Sequence, residues 1–410
     1  MRSITHVLAA SLAAQASGKP WSKSFYARIV KRPDDMLEIA ALLKNKGSKK
    51  LPNAVKKGFA AAFDRFDGYH LAKYRGEGKE FKLVDLVNLV HPVPTERNAE
   101  ALRALVAGEL KNTGTWESKL TAAGQMASDD AEKAEMKAGA WAELIGSGKL
   151  GYLAMLRNLR NIAEQAPEMV PIVAEKLRNE GQIRKALIMP FQFMVAMDAV
   201  KSAGLKNDRS LIAALSDALE LSLANVPRFE GRTLVVIDDS GSMTTAARGN
   251  GFGSRTCIQL GAAFAAALFK SNDADLMRFS DDASFIRANP RDSMATIANS
   301  IVRNAKSAGT NFHAIFENAK SAYDRIIILS DMQGWMSVGT PNGAFEKYKK
   351  RTGANPFVYS FDLTGLGTAQ LPAGKIFCFA GFSDKVFDLM KMAETDRSAL
   401  VNTIHAVHLN

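Results

Sequence analysis

The sequence predicts two architectures in one chain: an α-helical solenoid or bundle over residues 1–228 and a doubly wound, mostly parallel α/β sheet over 229–410. Three observations carry this. Apolar residues recur at three-to-four spacing up to about residue 228. A β-branched apolar run, Thr233-Leu234-Val235-Val236-Ile237, then opens an alternation of strand-like and helix-like segments. That run ends on Asp238-Asp239-Ser240-Gly241-Ser242-Met243, an oxygen-rich turn where open α/β sheets place their ligands.

In the first half, Phe25, Ile29 and Val30, then Met36, Leu37, Ile39, Ala40 and Leu43, mark single buried helix faces. Similar stripes run through 55–63, 83–90, 102–106, 153–159 and 211–223. The breaks carry Gly, Pro or Asn: Lys46-Gly47-Ser48, Gly76–Gly78, His91-Pro92-Val93-Pro94, Ala166-Pro167 and Lys206-Asn207-Asp208. Antiparallel helix pairs joined this way build a solenoid or a bundle. No exact sequence repeat is present.

Past Asn225-Val226-Pro227-Arg228 the period changes. The run 233–237 reads as a strand buried on both faces. An Ala-rich helix over 257–270 follows, then strands at 274–279 and 283–287 and helices near 292–306 and 312–323. Further strands at 325–329, 357–361 and 375–379 precede a last helix near 384–394.

Length and composition suit this reading. A chain of 410 residues has room for two cores, and 47% hydrophobic with 8% aromatic residues is globular in character. No run approaches the roughly 20 apolar residues of a membrane-spanning helix, so no membrane partner is expected. Arg2 and the stretch ending Ala13-Ala14-Gln15-Ala16 loosely imitate a secretory signal, but the apolar core is short and broken by Ser11, and an ordinary first helix is expected. Cys257 and Cys378 sit far apart in apolar segments, which suits a reduced, cytoplasmic setting. Of the net charge of +11, residues 1–82 carry an excess of 10, from 17 Lys and Arg against 7 Asp and Glu. Such an excess attracts a polyanion at long range, although many basic faces serve only solubility.

At the end of the first strand, Asp238, Ser240 and Ser242 offer a carboxylate and two hydroxyls at alternate positions. These are hard oxygen donors suited to Mg²⁺ (or Mn²⁺ or Ca²⁺). An Asp/Ser turn that caps a helix is the alternative. Two further segments add to the set: Thr310 ahead of a helix, and Asp331 at the end of the strand 325–329. Asp239 neighbours Asp238 on a strand end and is expected to point to the opposite face.

The series Asp238, Ser240, Ser242, Thr310, Asp331 resembles the metal-ion-dependent adhesion site (MIDAS) of von Willebrand A domains. A helical half feeding such a domain resembles the Ro autoantigen family, whose helical part is the TROVE module. Leu51-Pro52-Asn53-Ala54-Val55-Lys56-Lys57, Lys73-Tyr74-Arg75, 85–92, Met155-Leu156-Arg157-Asn158-Leu159 and Gly381-Phe382 are similar to family segments. That resemblance, from about 20 to 395, implies a ring or solenoid of HEAT-like repeats closed by the A domain. It implies binding of small structured non-coding RNA (Y-RNA-like) on a basic outer surface, with 3′ ends of misfolded RNA entering a central hole. An RNA quality-control or scaffolding role, an exoribonuclease partner and a monomeric state go with it. The helical half, about 230 residues, is short for animal members, which suggests a compact bacterial or phage type.

The basic segment supports the RNA reading from the residues themselves. Lys49, Lys50, Lys56, Lys57, Lys73, Arg75, Lys79 and Lys82 are candidate phosphate contacts, with His70, Tyr74 and His91 placed to stack on bases. Tyr74 as core, His91 as a helix terminator and Lys79 and Lys82 as solvated side chains are the structural alternatives. No Gly-x-Ser-x-Gly, His-Glu-x-x-His or phosphate-cradling Gly-rich loop is present, and His405 and His408 read as surface residues, so a non-enzymatic protein is expected. The competing functions are an adhesion-type module gripping a protein carboxylate through the metal, and a Mg²⁺-dependent nuclease.

Overall fold

The computed structural model describes residues 2–48, 50–110, 116–126, 129–148, 150–204, 208–247, 255–334, 341–365, 375–381, 385–396 and 398–409. These form two compact units, Met1–Gln125 with Asn402–Asn410, and Met126–Val401. The division falls inside the helical half. The second unit therefore holds helices as well as the whole sheet.

The first unit packs Arg2–Leu12, Ser22–Ile29, Pro33–Asn45, Asn53–Ala62, Gly68–Lys73, Leu83–Val90 and Ala99–Ala107 around one core. Tyr26, Met36, Ile39, Val55, Phe59, Phe63, Leu71, Leu83 and Leu86 meet there, fully buried. The expected breaks at Lys46-Gly47-Ser48, 76–78 and 91–94 separate these helices, and Arg2–Leu12 is helical. Helices Ser22–Ile29 and Asn53–Ala62 approach closely at Gly58. A Cβ there would stand 2.2 Å from Tyr26 Cβ and 3.0 Å from the Lys23 carbonyl oxygen.

In the second unit the stripe 153–159 is two helices, Tyr152–Arg157 and Leu159–Gln165, rather than one. Asn158 makes the break. Its side-chain amide donates to the Ala154 carbonyl at 2.9 Å, while its backbone N–H shifts to Met155 at 3.0 Å. A side chain that takes the i−4 carbonyl competes with the helix ladder. Lys206 and Asn207 lie outside the described residues; Asp208 begins the helix Asp208–Leu221.

The sheet has six strands: β1 (Thr233–Asp238), β2 (Ala274–Phe279), β3 (Ala283–Ile286), β4 (Arg325–Ser330), β5 (Phe357–Asp362) and β6 (Ile376–Ala380). Their order is β3-β2-β1-β4-β5-β6, all parallel except β3, which pairs antiparallel with β2. The central strands β1 and β4 are buried at every position, as their continuous apolar runs require. Leu234, Val236, Ile326 and Ile328 pack with Phe312, Phe316, Phe345 and Tyr348 of the helices on one face. On the other, Ile237 meets Gly261 of helix Cys257–Ser271, where a Cβ would come within 2.4 Å of the Ile237 Cδ1.

Three helices differ from expectation. The one near 312–323 ends at Asn318, because Arg351 donates to the Phe316 and Ala319 carbonyls at 2.8 and 2.7 Å and satisfies its end early. Arg351 belongs to a helix the periodicity did not reveal, Pro341–Thr352; a second unforeseen helix, Ala399–His405, follows Lys385–Thr395. Gly381 is described with φ +75°, whereas Phe382 lies outside the described residues.

At the amino ends of the strands a buried cation ties sheet to helix. Arg325 donates to Thr233 Oγ1 at 2.9 Å and pairs with Glu394, which also accepts from the Tyr359 hydroxyl at 3.0 Å. The Arg325 guanidinium lies 4.3 Å from the Phe229 ring centroid. The opposite edge of the sheet is left to the site.

Candidate functional site

The chain runs β1 to β2 to β3 on one side of β1, then crosses to β4 on the other. Neighbouring crossovers therefore diverge between β1 and β4, and a crevice opens beyond their carboxyl ends. Asp238 ends β1; Ser330 ends β4, followed by Asp331. All three are buried, as are Ser240 and Thr310.

Asp238 Oδ1 accepts the Ser240 N–H at 2.9 Å, and Oδ2 accepts the Ser330 hydroxyl. The Ser240 and Ser242 hydroxyl oxygens stand 3.2 Å apart. Asp331 Oδ1 accepts from the Gln333 N–H at 3.3 Å. Burial pushes the Asp238 carboxyl up to about 6; hydrogen bonds from Ser240 and Ser330 oppose the rise, and nearby Asp331 adds to it. Two carboxylates in a dry crevice repel each other, and a cation between them would remove that cost.

Thr310 reaches this edge through a stapled loop. Gly241 N–H donates to the Ala308 carbonyl, Ser307 N–H to the Asp239 carbonyl, and Asn311 N–H to the Ser280 carbonyl, at 2.9, 2.9 and 2.7 Å. The Asp239 carboxylate turns away from Asp238 into the same loop, accepting the Lys306 N–H at 3.0 Å with Arg278 at 3.6 Å. Asp239 thus acts as an anchor for the Thr310 segment, a role the sequence pattern did not reveal. The nearest hint was its position on the opposite face of a strand end.

The donor set fits a small hard cation. Adjacent ligands of octahedral Mg²⁺ at about 2.0–2.1 Å stand roughly 3 Å apart, and the two serine hydroxyls hold close to that spacing. Among the described residues no three His, Cys, Asp or Glu side chains cluster as a metal cage. Hydroxyls supply the remaining donors here, and water would complete the shell.

The basic candidates lie in the first unit. Lys49 is outside the described residues. Lys50 and Lys57 are exposed and Lys56 is half-buried on helix Asn53–Ala62; none of the three has a carboxylate partner among the described residues. The Lys73-Tyr74-Arg75 step lines a cleft of about 360 Å³ where much of the charge is already compensated. Lys73 stands 3.7 Å from Glu117, Arg75 pairs with Glu77 at 3.1 Å and donates to the Leu110 carbonyl at 2.6 Å, and Lys79 pairs with Glu38 at 2.6 Å. Tyr74 is half-buried under the Arg32 guanidinium, 5.1 Å from its ring centroid, and burial raises its hydroxyl pKa. His70 pairs with Asp67 at 2.7 Å, and the Lys82 N–H donates to Asp85 at 2.8 Å at the start of helix Leu83–Val90. His91 closes that helix at φ +49° with an exposed side chain. The structure adds Lys23 and Arg28, exposed on helix Ser22–Ile29, which packs on Asn53–Ala62; the basic excess was their only signal in the sequence.

Residues 103–248 match the TROVE domain and 232–392 match the Ro60 vWA domain. Telomerase protein component 1 of Mus musculus is 32% identical over 103 residues, 25% of this chain and 4% of that protein. Its counterpart in Rattus norvegicus is 22% identical over 277 residues, 49% of this chain and 10% of that protein. The chain therefore spans a tenth or less of the length of these curated relatives. The crystal structure of the Deinococcus radiodurans Ro (RSR) protein superposes with a TM-score of 0.68 at 19% identity, covering 92% of this chain and 84% of that one. With its helices running into a sheet that carries the Asp238 crevice, the chain belongs to the Ro family, a TROVE domain followed by a Ro60-type von Willebrand A domain.

Proposed function

We propose that the protein binds RNA without acting on it chemically, holding small structured non-coding RNA against the first unit in RNA quality control or as a ribonucleoprotein scaffold. The observation that carries this is the charge of Lys50, Lys56 and Lys57, which meets no carboxylate among the described residues, with Lys23 and Arg28 on the neighbouring helix. Lys79, by contrast, is paired with Glu38. A cluster of exposed cations attracts a polyanion, and the RNA backbone presents anionic charge at regular spacing. Family membership supports the same reading.

The Asp238 crevice is proposed to hold Mg²⁺ through Ser240, Ser242 and Thr310, with Asp238 and Asp331 supplying the negative charge. Bound there, the ion would offer an open coordination position to an anionic oxygen. Asp238 and its neighbours orient the hydroxyls, and the Asp239-anchored loop keeps Thr310 in place.

Ultraviolet cross-linking of the full chain in cells, followed by sequencing of attached RNA, tests the proposal. Discrete structured RNAs should be recovered, with nuclease-sensitive absorbance at 260 nm in the purified protein. Recovery of no RNA above background, from protein that elutes free of nucleic acid, would reject it.

A further inference from the structure

We propose that a second site, a cleft of about 600 Å³ in the unit Met126–Val401, takes a nucleotide: a phosphate on its cationic rim and a base against its apolar wall. The cleft lies toward the amino ends of the strands, away from Asp238. Helix Glu180–Ala186 with Leu187, the segment 224–228 ahead of β1, and helix Lys385–Thr395 enclose it. Its volume falls in the range of about 300–1,000 Å³ usual for small-ligand sites.

Its charge is one-sided. Arg184, Arg228 and Lys391 line it, and Asp388 is the one carboxylate among the described lining residues. Arg184 pairs with Glu180 one turn back on an exposed face, an arrangement of little net strength in water. Arg228 and Lys391 are exposed and have no carboxylate partner among the described residues. Three cations around one cavity suit a phosphate or phosphodiester.

Apolar residues share the lining with them, Leu187 the most exposed. Leu187 is 64% exposed and sits in the left-handed region at φ +51°, where the end of a helix favours glycine. A leucine in this conformation costs stability, yet it presents an apolar side chain to the cleft beside Phe387. Asn225 adds specificity. Its amide nitrogen donates to the Ile183 and Ile188 carbonyls at 3.1 and 2.8 Å, using both hydrogens. Its oxygen is left as an acceptor for a base N–H. An acidic peptide would satisfy the cations but would give Leu187 and Asn225 no purpose. These residues lie outside the basic segment 1–82, so the site stands or falls apart from the RNA surface proposed above.

Calorimetry on the full chain with AMP and UMP, and anisotropy with a labelled ten-residue oligouridylate, test the site. Binding of the mononucleotides identifies a free-nucleotide site; binding of the oligonucleotide alone identifies an RNA strand in this cleft when reversal of Arg228 and Lys391 weakens it and reversal of Lys56 and Lys57 does not, and overturns the proposal when the reverse holds. Arg228→Glu with Lys391→Glu should weaken the bound probe at least about tenfold, as loss of charge-assisted hydrogen bonds does. Leu187→Gly should weaken binding while the melting temperature holds or rises, a combination that a merely structural leucine would not give. Lys56→Glu with Lys57→Glu should leave mononucleotide affinity unchanged. No binding of any probe overturns the proposal, as does unchanged affinity in the charge-reversed variant. Equal affinity for inorganic phosphate and AMP, or tighter binding of a polyglutamate peptide, also overturns it.

Discussion

Asp238→Ala abolishes binding of Mg²⁺ and Mn²⁺ to the full chain while leaving it folded. Asp238 receives the Ser240 N–H and the Ser330 hydroxyl and is buried beside Asp331. Its removal deletes one of the two carboxylates available to the ion, and hydroxyls and water do not replace that charge. The fold withstands the loss because two opposing effects meet. Two donors lose a buried acceptor, at about 1–3 kcal/mol each, and the repulsion between Asp238 and Asp331 disappears. The readout is the melting temperature with and without divalent ion. A cation at 100 times its Kd stabilises the native state by about 2.7 kcal/mol, so the wild type should melt higher in excess Mg²⁺ and the variant should not. Asp238→Asn keeps an acceptor for the Ser240 N–H and should fold at least as well, also without the Mg²⁺-dependent rise. A variant that retains the full rise would place the metal elsewhere.

Gly58→Ala destabilises the chain, although an exposed helical glycine replaced by alanine usually gains about 1 kcal/mol. The new methyl would stand 2.2 Å from Tyr26 Cβ, with the Lys23 carbonyl oxygen at 3.0 Å and the Ala27 nitrogen at 3.1 Å. None of these is the free end of a flexible side chain. Relief requires helices Ser22–Ile29 and Asn53–Ala62 to separate. Tyr26 resists, because it is fully buried and its hydroxyl donates to the Ala9 carbonyl at 2.8 Å. Overpacking of this kind costs about 1–3 kcal/mol, enough to lower the midpoint of thermal unfolding by several degrees. Gly139, also helical, has no described residue within 4 Å of where a Cβ would stand, so Gly139→Ala is the control and should be neutral or stabilising. Equal midpoints for the two variants would show that the helices do not meet at Gly58.

What could be read from the sequence follows the range of the forces involved. β1 and β4 were visible as apolar runs because a strand buried on both faces has no alternative composition. Asp238 and Asp331 stood out because each closes its own apolar strand run, β1 and β4, a signal contained in each short segment. Asp239 as an anchor was not legible, since it depends on the Lys306 N–H, 67 residues away. Nor was the early end of the helix at Asn318, set by Arg351 from another helix. Helix Pro341–Thr352 was missed because its buried face is only Ala344, Phe345 and Tyr348 among a run of cations. Among the basic candidates, sequence alone did not separate Arg75, engaged by Glu77 and Leu110, from Lys57, which has no such partner. Pairing of charges across turns is a tertiary fact.

That separation bears directly on RNA binding. The decisive measurement is the affinity of the full chain for a small structured RNA across a salt series, for the wild type and for Lys56→Glu with Lys57→Glu. Each lost phosphate contact removes about one unit from the slope of log K against log salt. If helix Asn53–Ala62 lies on the RNA, the double variant should bind more weakly at every salt concentration, with a slope shallower by about 2. Equal affinity and an equal slope for the two proteins would contradict RNA binding at this surface.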